Sequence, residues 1–343
     1  MPSPSRSGEP VPLLVLSGPL WHRHAPWWTH LPKVATKVGR VPWKGCGRMI
    51  CVAGSANLDL VVRVDHLPRP GETVLGAGLQ RVCGGKGANQ AVAAARLGAQ
   101  LAFIGRVGDD GEGQMLRTAL RDAEVDLTHL STDTVHTGIA HIAVDPQGEN
   151  LIVVSPGANA RVDERDVHAA RGVLAACAAT MLQLEIPVAA VTRAARLAGG
   201  LIVLNPAPAQ RLDPDLLALV DVLVPNRTEL ATLAGVAEPH TVDEVVVAAR
   251  ALHLERMVVT LGQDGVVVLD GGRVDHLPAH EVTAVDATAA GDAFCAGLTV
   301  RLVEGATLLE AARFANATAA ITVTRRGAQP SLPTRVEVDA LLA

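Results

Sequence analysis

The chain has 343 residues, 49% hydrophobic and 19% charged, with 32 Gly and 21 Pro, proportions of a globular protein rather than a disordered or fibrous one. Its net charge of −5 leaves no global basic field to recommend nucleic acid or an anionic membrane as partner, and no apolar run approaches the ~20 residues that span a bilayer. The twelve His form no HExxH motif, and the five Cys (Cys46, Cys51, Cys83, Cys177 and Cys295) include no CxxC pair, so they read as small buried residues of a soluble, cytoplasmic protein.

Residues 1–48 differ from the rest. They hold all four Trp, eight of the Pro, and seven basic residues against Glu9 alone, so their net charge is +6 and that of the remainder is −11. The apolar stretch 11–20 is short and broken by Pro12 and Pro19, a poor secretory core. This leader reads as a disordered extension, or as a reading frame begun upstream of a start at Met49.

From Met49 to the C-terminus a single domain is expected. A β-branched run at 50–53 predicts a strand, and period-2 alternation at 60–64 and 72–82 predicts two antiparallel strands with one solvated face. An Ala-rich helix at 88–97, a strand at 101–107 and a helix at 113–123 follow, then two more alternating strands at 138–144 and 150–154. Helix and strand then interchange: helices at 163–176, 188–198 and 214–219, strands at 180–184, 201–204 and 222–224. Helices at 228–234 and 242–253, strands at 257–261 and 266–269, and a helix at 293–302 complete the pattern. Apolar strands alternating with helices imply an α/β fold with a mostly parallel sheet covered on both faces. The alternating strands, within 60–82 and 138–154, form a small antiparallel lid inserted into it. Ligands of such sheets lie beyond the carboxyl ends of the strands.

The chemistry-bearing segments sit there. Asp286-Ala-Thr-Ala-Ala-Gly291-Asp292 opens a helix with small residues, which leaves backbone N–H groups aimed at an anion. Asp292 in that first turn is either a favourable charge on the helix dipole or a base beside a phosphate site. Residues 84–90 (GGKGANQ) let backbone approach a ligand, but they are no Walker A loop, because Gly87 replaces Ser or Thr. Asn57, Asp59 and Glu185 leave strand ends, as sugar ligands or as turn and cap formers. Asn226-Arg227-Thr228-Glu229 follows a strand, where a carboxylate near phosphates commonly supports Mg²⁺. Thr260-Leu261-Gly262-Gln263-Asp264-Gly265 is a hairpin turn against which a nucleotide can rest.

In this order, residues 84–91 (GGKGANQA), 181–185 (MLQLE), 204–208 (LNPAP), 286–292 (DATAAGD) and 323–330 (VTRRGAQP) resemble the ribokinase family of carbohydrate kinases, the phosphofructokinase-B-type enzymes. The resemblance runs from about Cys51 to the C-terminus and implies a ribokinase-like fold and ATP-dependent phosphorylation of D-ribose at its 5-hydroxyl. It makes Asp292 the base and the amides of Ala289, Ala290, Gly291 and Asp292 the anion hole. Asn57, Asp59, Gly85, Lys86, Gly87, Ala88, Asn89 and Glu185 would hold the sugar. Asn226 and Glu229 would support Mg²⁺ and phosphates, residues Thr260, Leu261, Gly262, Gln263, Asp264 and Gly265 would border the nucleotide, and Asn316 would lie near its adenine. A K⁺ ion beside the anion hole would take Asp286, Thr288, Thr322, Arg325, Gly327 and Ser331, several through carbonyls. The lid strands would pair two copies into a homodimer. Asn316 stands where the family often carries His, and Arg227 where it more often carries an acidic or small residue.

Three other readings share parts of this pattern. A 2-deoxyribose or nucleoside kinase would share nearly all the motifs. A non-catalytic sugar-binding regulator should lack the Gly291-Asp292 pair that this chain keeps. A dinucleotide dehydrogenase needs GxGxxG after the first strand, and Gly54-Ser55-Ala56-Asn57 does not supply it.

Overall fold

The computed structural model describes residues 49–343; the leader at 1–48 lies outside the described residues. Along the chain, β1 (Met49–Ala53), β2 (Asn57–Arg63) and β3 (Ala77–Gly84) precede α1 (Lys86–Arg96). Next come β4 (Gln100–Gly108), α2 (Gly111–Asp122), β5 (Asp126–Asp133), β6 (Gly138–Val144) and β7 (Asn150–Ser155). The middle of the chain supplies α3 (Glu164–Ala169), α4 (Arg171–Ala176), β8 (Ala179–Leu182), α5 (Val188–Leu197), β9 (Leu201–Leu204), α6 (Pro214–Leu217) and β10 (Val222–Leu223). The remainder is α7 (Arg227–Ala234), α8 (Val242–Ala251), β11 (Arg256–Thr260), β12 (Val266–Asp270), β13 (Arg273–Leu277), α9 (Ala290–Val303), α10 (Leu308–Val323) and α11 (Arg335–Leu342).

Nine strands form the core sheet in the order β13-β12-β11-β10-β9-β8-β1-β4-β5. Every neighbour from β11 to β5 is parallel, and β12 and β13 add an antiparallel edge. Both faces are buried. Ile50 and Val52 of β1 join a cluster with α1, α9 and α10, whereas Cys51 and Ala53 join the opposite cluster with α5, α7 and α8. That two-sided burial is why β1 reads as a continuous apolar run. Among the described residues, no helix is long and apolar enough to cross a membrane.

The second sheet is the lid, in the order β3-β2-β6-β7. Its two outer pairs are antiparallel, but β2 and β6 run parallel, with Asn57 opposite Gly138. An all-antiparallel lid was expected, and the difference has a simple origin. β2 leaves the core just after β1 and β6 just after β5, and those core strands point the same way. The predicted strand at 72–82 begins only at Ala77, and the predicted helix at 163–176 is broken at Ala170 into α3 and α4.

Candidate active site

Two loops meet where β1 ends and α1 begins. Gly85 has φ 87°, and a Cβ there would lie 2.6 Å from the Asn57 nitrogen. A Cβ on Gly87 would fall 2.7 Å from the Ser55 nitrogen and carbonyl oxygen. Only glycine permits that approach, which brings the start of α1 against Asn57 and Asp59 at the root of the lid. Glu185 fastens the junction: its Oε2 accepts from the Lys86 amide at 3.0 Å and from Ser55 Oγ at 2.5 Å. Asn57 Oδ1 accepts from Asn159 Nδ2 at 2.7 Å, so the buried Asn57 is oriented from the far side of the lid.

Asp292 enters from α9. The preceding Ala289 is left-handed, with φ 62°, and no side chain caps the helix. The Ala290 amide turns back to the Ala287 carbonyl at 3.2 Å, so it is not one of the free donors expected there. The amides of Ala289, Gly291 and Asp292 make no hydrogen bond among the described residues and remain available to an anion. The Asp292 side chain is buried, accepting from Asn89 Nδ2 at 3.0 Å and from Gln90 Nε2 at 3.1 Å. Asn89 Oδ1 is buried without a partner, an acceptor ready for a ligand hydroxyl.

These groups form one electrostatic unit. Burial pushes the Asp292 carboxyl up, opposed by Lys86 and by the amides of Asn89 and Gln90. Burial, then the Glu185 and Asp292 carboxylates, raise Asp59 to about 7, with Lys86 resisting. Burial alone would lower the Lys86 ammonium, but Asp292, Glu185 and Glu229 outweigh it and hold it above its usual range. Burial also raises Glu229, Asp292 adding to the effect. The expected sugar residues and the expected base therefore share one neighbourhood.

The expected nucleotide residues form the adjoining rim. Asn226 and Glu229 are a reciprocal cap of α7: the Asn226 amide donates to Glu229 Oε2 at 2.9 Å and the Glu229 amide to Asn226 Oδ1 at 2.8 Å. Thr260 bridges to Asn226, and the turn from Leu261 to Gly265 joins β11 to the antiparallel β12. Arg227 grips that turn, donating to the Leu261 carbonyl at 3.2 Å and to Asp264 at 2.7 Å. Asn316 donates to the Pro278 carbonyl at 2.7 Å, alongside the same edge.

Of the last expected set, Asp286 joins Thr288 and Gly327, while the Thr322 and Ser331 hydroxyls donate to the Thr318 and Ala328 carbonyls. The Asp286 oxygens accept from the Thr288 amide at 2.9 Å and the Gly327 amide at 2.8 Å, and its own amide reaches the Val323 carbonyl. The Arg325 guanidinium donates to Glu337 and has no acceptor of its own, so only the Arg325 carbonyl could face a cation. One carboxylate among neutral carbonyls and hydroxyls is a donor set suited to K⁺. Among the described residues no cluster of acids, His or Cys would hold a metal ion unaided. The lone Glu229 carboxylate fits a Mg²⁺ that is held mainly by phosphates.

The structure adds residues that the motifs alone did not single out. Ser55, Asn159, Gln183 and Asn205 all hold site groups, and Gln90 binds Asp292 directly. Gln90 and Gln183 lie inside two of the quoted motifs. Their near-total burial despite an amide side chain was not visible from spacing.

The model of the pfkB family of carbohydrate kinases matches residues 48–335. A ribokinase of Haemophilus influenzae is 43% identical over 297 residues, covering 84% of this chain and 97% of that protein. A deoxyribokinase of Salmonella typhi is 35% identical over 292 residues, covering 83% of this chain and 95% of that protein. The structure of Arabidopsis thaliana ribokinase complexed with ribose and ATP matches with a TM-score of 0.79 at 32% identity, covering 86% of this chain and 99% of that one. The chain therefore belongs to the pfkB family of carbohydrate kinases.

Proposed function

We propose that this protein transfers the terminal phosphoryl group of ATP to the 5-hydroxyl of D-ribose, with Asp292 as the base. One observation carries the reading: the Asp292 carboxylate lies between Asn89 of the glycine-rich loop and the unpaired amides that open its own helix. Asn57, Asp59, Lys86, Asn89 and Glu185 would fix the sugar, and positioning of this kind lowers a barrier by ~7–11 kcal/mol. The amides of Ala289, Gly291 and Asp292 would meet charge developing on the phosphoryl oxygens, one such donor contributing ~3–4 kcal/mol. Asp292 accepts the hydroxyl proton as the new O–P bond forms and ADP departs. Phosphoryl transfer needs alignment and charge neutralisation more than covalent help, and this site provides both.

Mg²⁺ bound with ATP would neutralise phosphate charge, with Glu229 and Asn226 in support. K⁺ on the segments around Asp286 would help to set the position of the anion hole. Residues 49–343 would act as one kinase domain beneath the lid, and the lid would pair two copies. The cytoplasm, where ATP is plentiful, is the compartment such an enzyme needs.

The test is ADP release across D-ribose, 2-deoxyribose, fructose and adenosine, with and without K⁺, with the position of the phosphate read by NMR. D-ribose should give the highest kcat/KM and ribose 5-phosphate as product. Preference for 2-deoxyribose is the second reading, supported by the Salmonella typhi relative. No turnover with any of the four would point to a sugar-binding regulator.

A further inference from the structure

We propose that Gln90 is a positioning residue for the Asp292 carboxylate, and that Gln183 fixes which end of the Gln90 amide faces it. The inference rests on the reading of Asp292 as the base. Gln90 and Gln183 are 1% and 0% exposed, and neither belongs to the proposed sugar contacts. Gln90 Nε2 donates to Asp292 Oδ1 at 3.1 Å and reaches Asn205 Oδ1 at 3.4 Å. Gln183 Nε2 donates to Gln90 Oε1 at 2.5 Å. Asn205 is itself oriented, because its Nδ2 donates to the Val224 carbonyl at 3.0 Å.

This chain of bonds is anchored at both ends by groups that only accept, the Val224 carbonyl and the Asp292 carboxylate. Turning the Gln90 amide over would set its oxygen against Asp292 and Asn205 and its nitrogen against the Gln183 donor. Three contacts would become repulsive at once. Gln183 Oε1 is left buried without a partner, next to Gly54, where a Cβ would lie 2.0 Å from it. Gln183 is therefore held through its donor end, which is committed to Gln90. Each Asp292 oxygen thus takes one fixed amide proton, Oδ2 from Asn89 and Oδ1 from Gln90. Asn89 would be shared with the sugar, whereas Gln90 is held by Gln183 and Asn205 and stands outside the proposed sugar contacts. Together Asn89 and Gln90 hold the plane of the carboxylate and favour its ionised form.

The test compares kcat against pH for the wild type, Gln90→Leu and Gln183→Leu, with Asp292→Asn as the control. The other ionisable groups that face Asp292 are Lys86, Asp59, Glu185, Glu229 and Cys295, and all stay in place in the two Leu variants. Losing the Gln90 donor raises the pH at which Asp292 gives up its proton, so the acid limb should move upward by about one pH unit. At neutral pH kcat should fall about ten- to a hundredfold, the loss expected for one hydrogen bond to a charged group, with KM for the sugar within about threefold. Gln183→Leu should move the limb the same way, by less. A folded Gln90→Leu enzyme with the wild-type acid limb overturns the inference. Should Gln90→Leu not fold, an unmoved limb in Gln183→Leu does so instead. Turnover surviving in Asp292→Asn would remove the base itself; a dead Asp292→Asn beside an unshifted Gln90→Leu would remove only Gln90.

Discussion

Asp59 lies at the root of the lid with 8% of its surface exposed, and its carboxyl is raised from 3.8 to about 7 by burial and by the Glu185 and Asp292 carboxylates. The unfolded chain releases this proton near its ordinary value, while the folded chain keeps it until about pH 7. Between those values the folded state binds more protons, so this group's contribution to stability falls as pH rises through the window. Above pH 7 the cost is at most about 4 kcal/mol. Asp59→Asn should therefore melt roughly 3–8 °C above the wild type at pH 8 in the absence of sugar, the gap closing below pH 4. At pH 8, where Asp59 has given up its proton, the same variant should bind D-ribose at least about tenfold more weakly in calorimetry, since an ionised acceptor is lost. A melting temperature unchanged at pH 8 would mean that Asp59 is not under that electrostatic load. Gln90 gives the contrasting lesson at this scale. Its motif was plain in the sequence, but its role depends on Gln183 and Asn205, which come from β-strand exits far away in the chain.

At the scale of elements, the parallel strands and their covering helices were legible because two-sided burial writes uninterrupted apolar runs. β5 was not, since Asp126, His129 and Asp133 give an edge strand no such run. The direction of β6 beside β2 was not legible either, because alternation reports which face is buried and says nothing of strand polarity. Asn226 and Glu229 were read as support for Mg²⁺ and phosphates, and in the structure they also form the reciprocal cap of α7. Arg227 holds the turn from Leu261 to Asp264. Arg227→Ala should loosen that turn and raise KM for ATP about five- to tenfold, with KM for ribose within twofold. Steady-state kinetics with each substrate varied checks this, and an unchanged KM for ATP would detach the turn from the nucleotide.

For the whole molecule, β7 is the telling element. Leu151 through Val154 are exposed on both faces of the strand, and Leu79 on the opposite edge of the lid is 60% exposed. Strand alternation should hide one face, and a single copy hides neither, which supports two lids clasping each other. Ile152→Asp should shift the protein from dimer to monomer in sedimentation and raise KM for ribose severalfold, because the lid would lose its backing. A monomeric wild type would end that reading. Lid and loops converge on the carboxylate at residue 292, and its removal by the isosteric Asp292→Asn is the most direct test. Single-turnover phosphoryl transfer from ATP to D-ribose should fall by at least about a thousandfold, while calorimetry shows ribose binding within about threefold of the wild type. Transfer at a near-normal rate in that variant would contradict the assignment of the base.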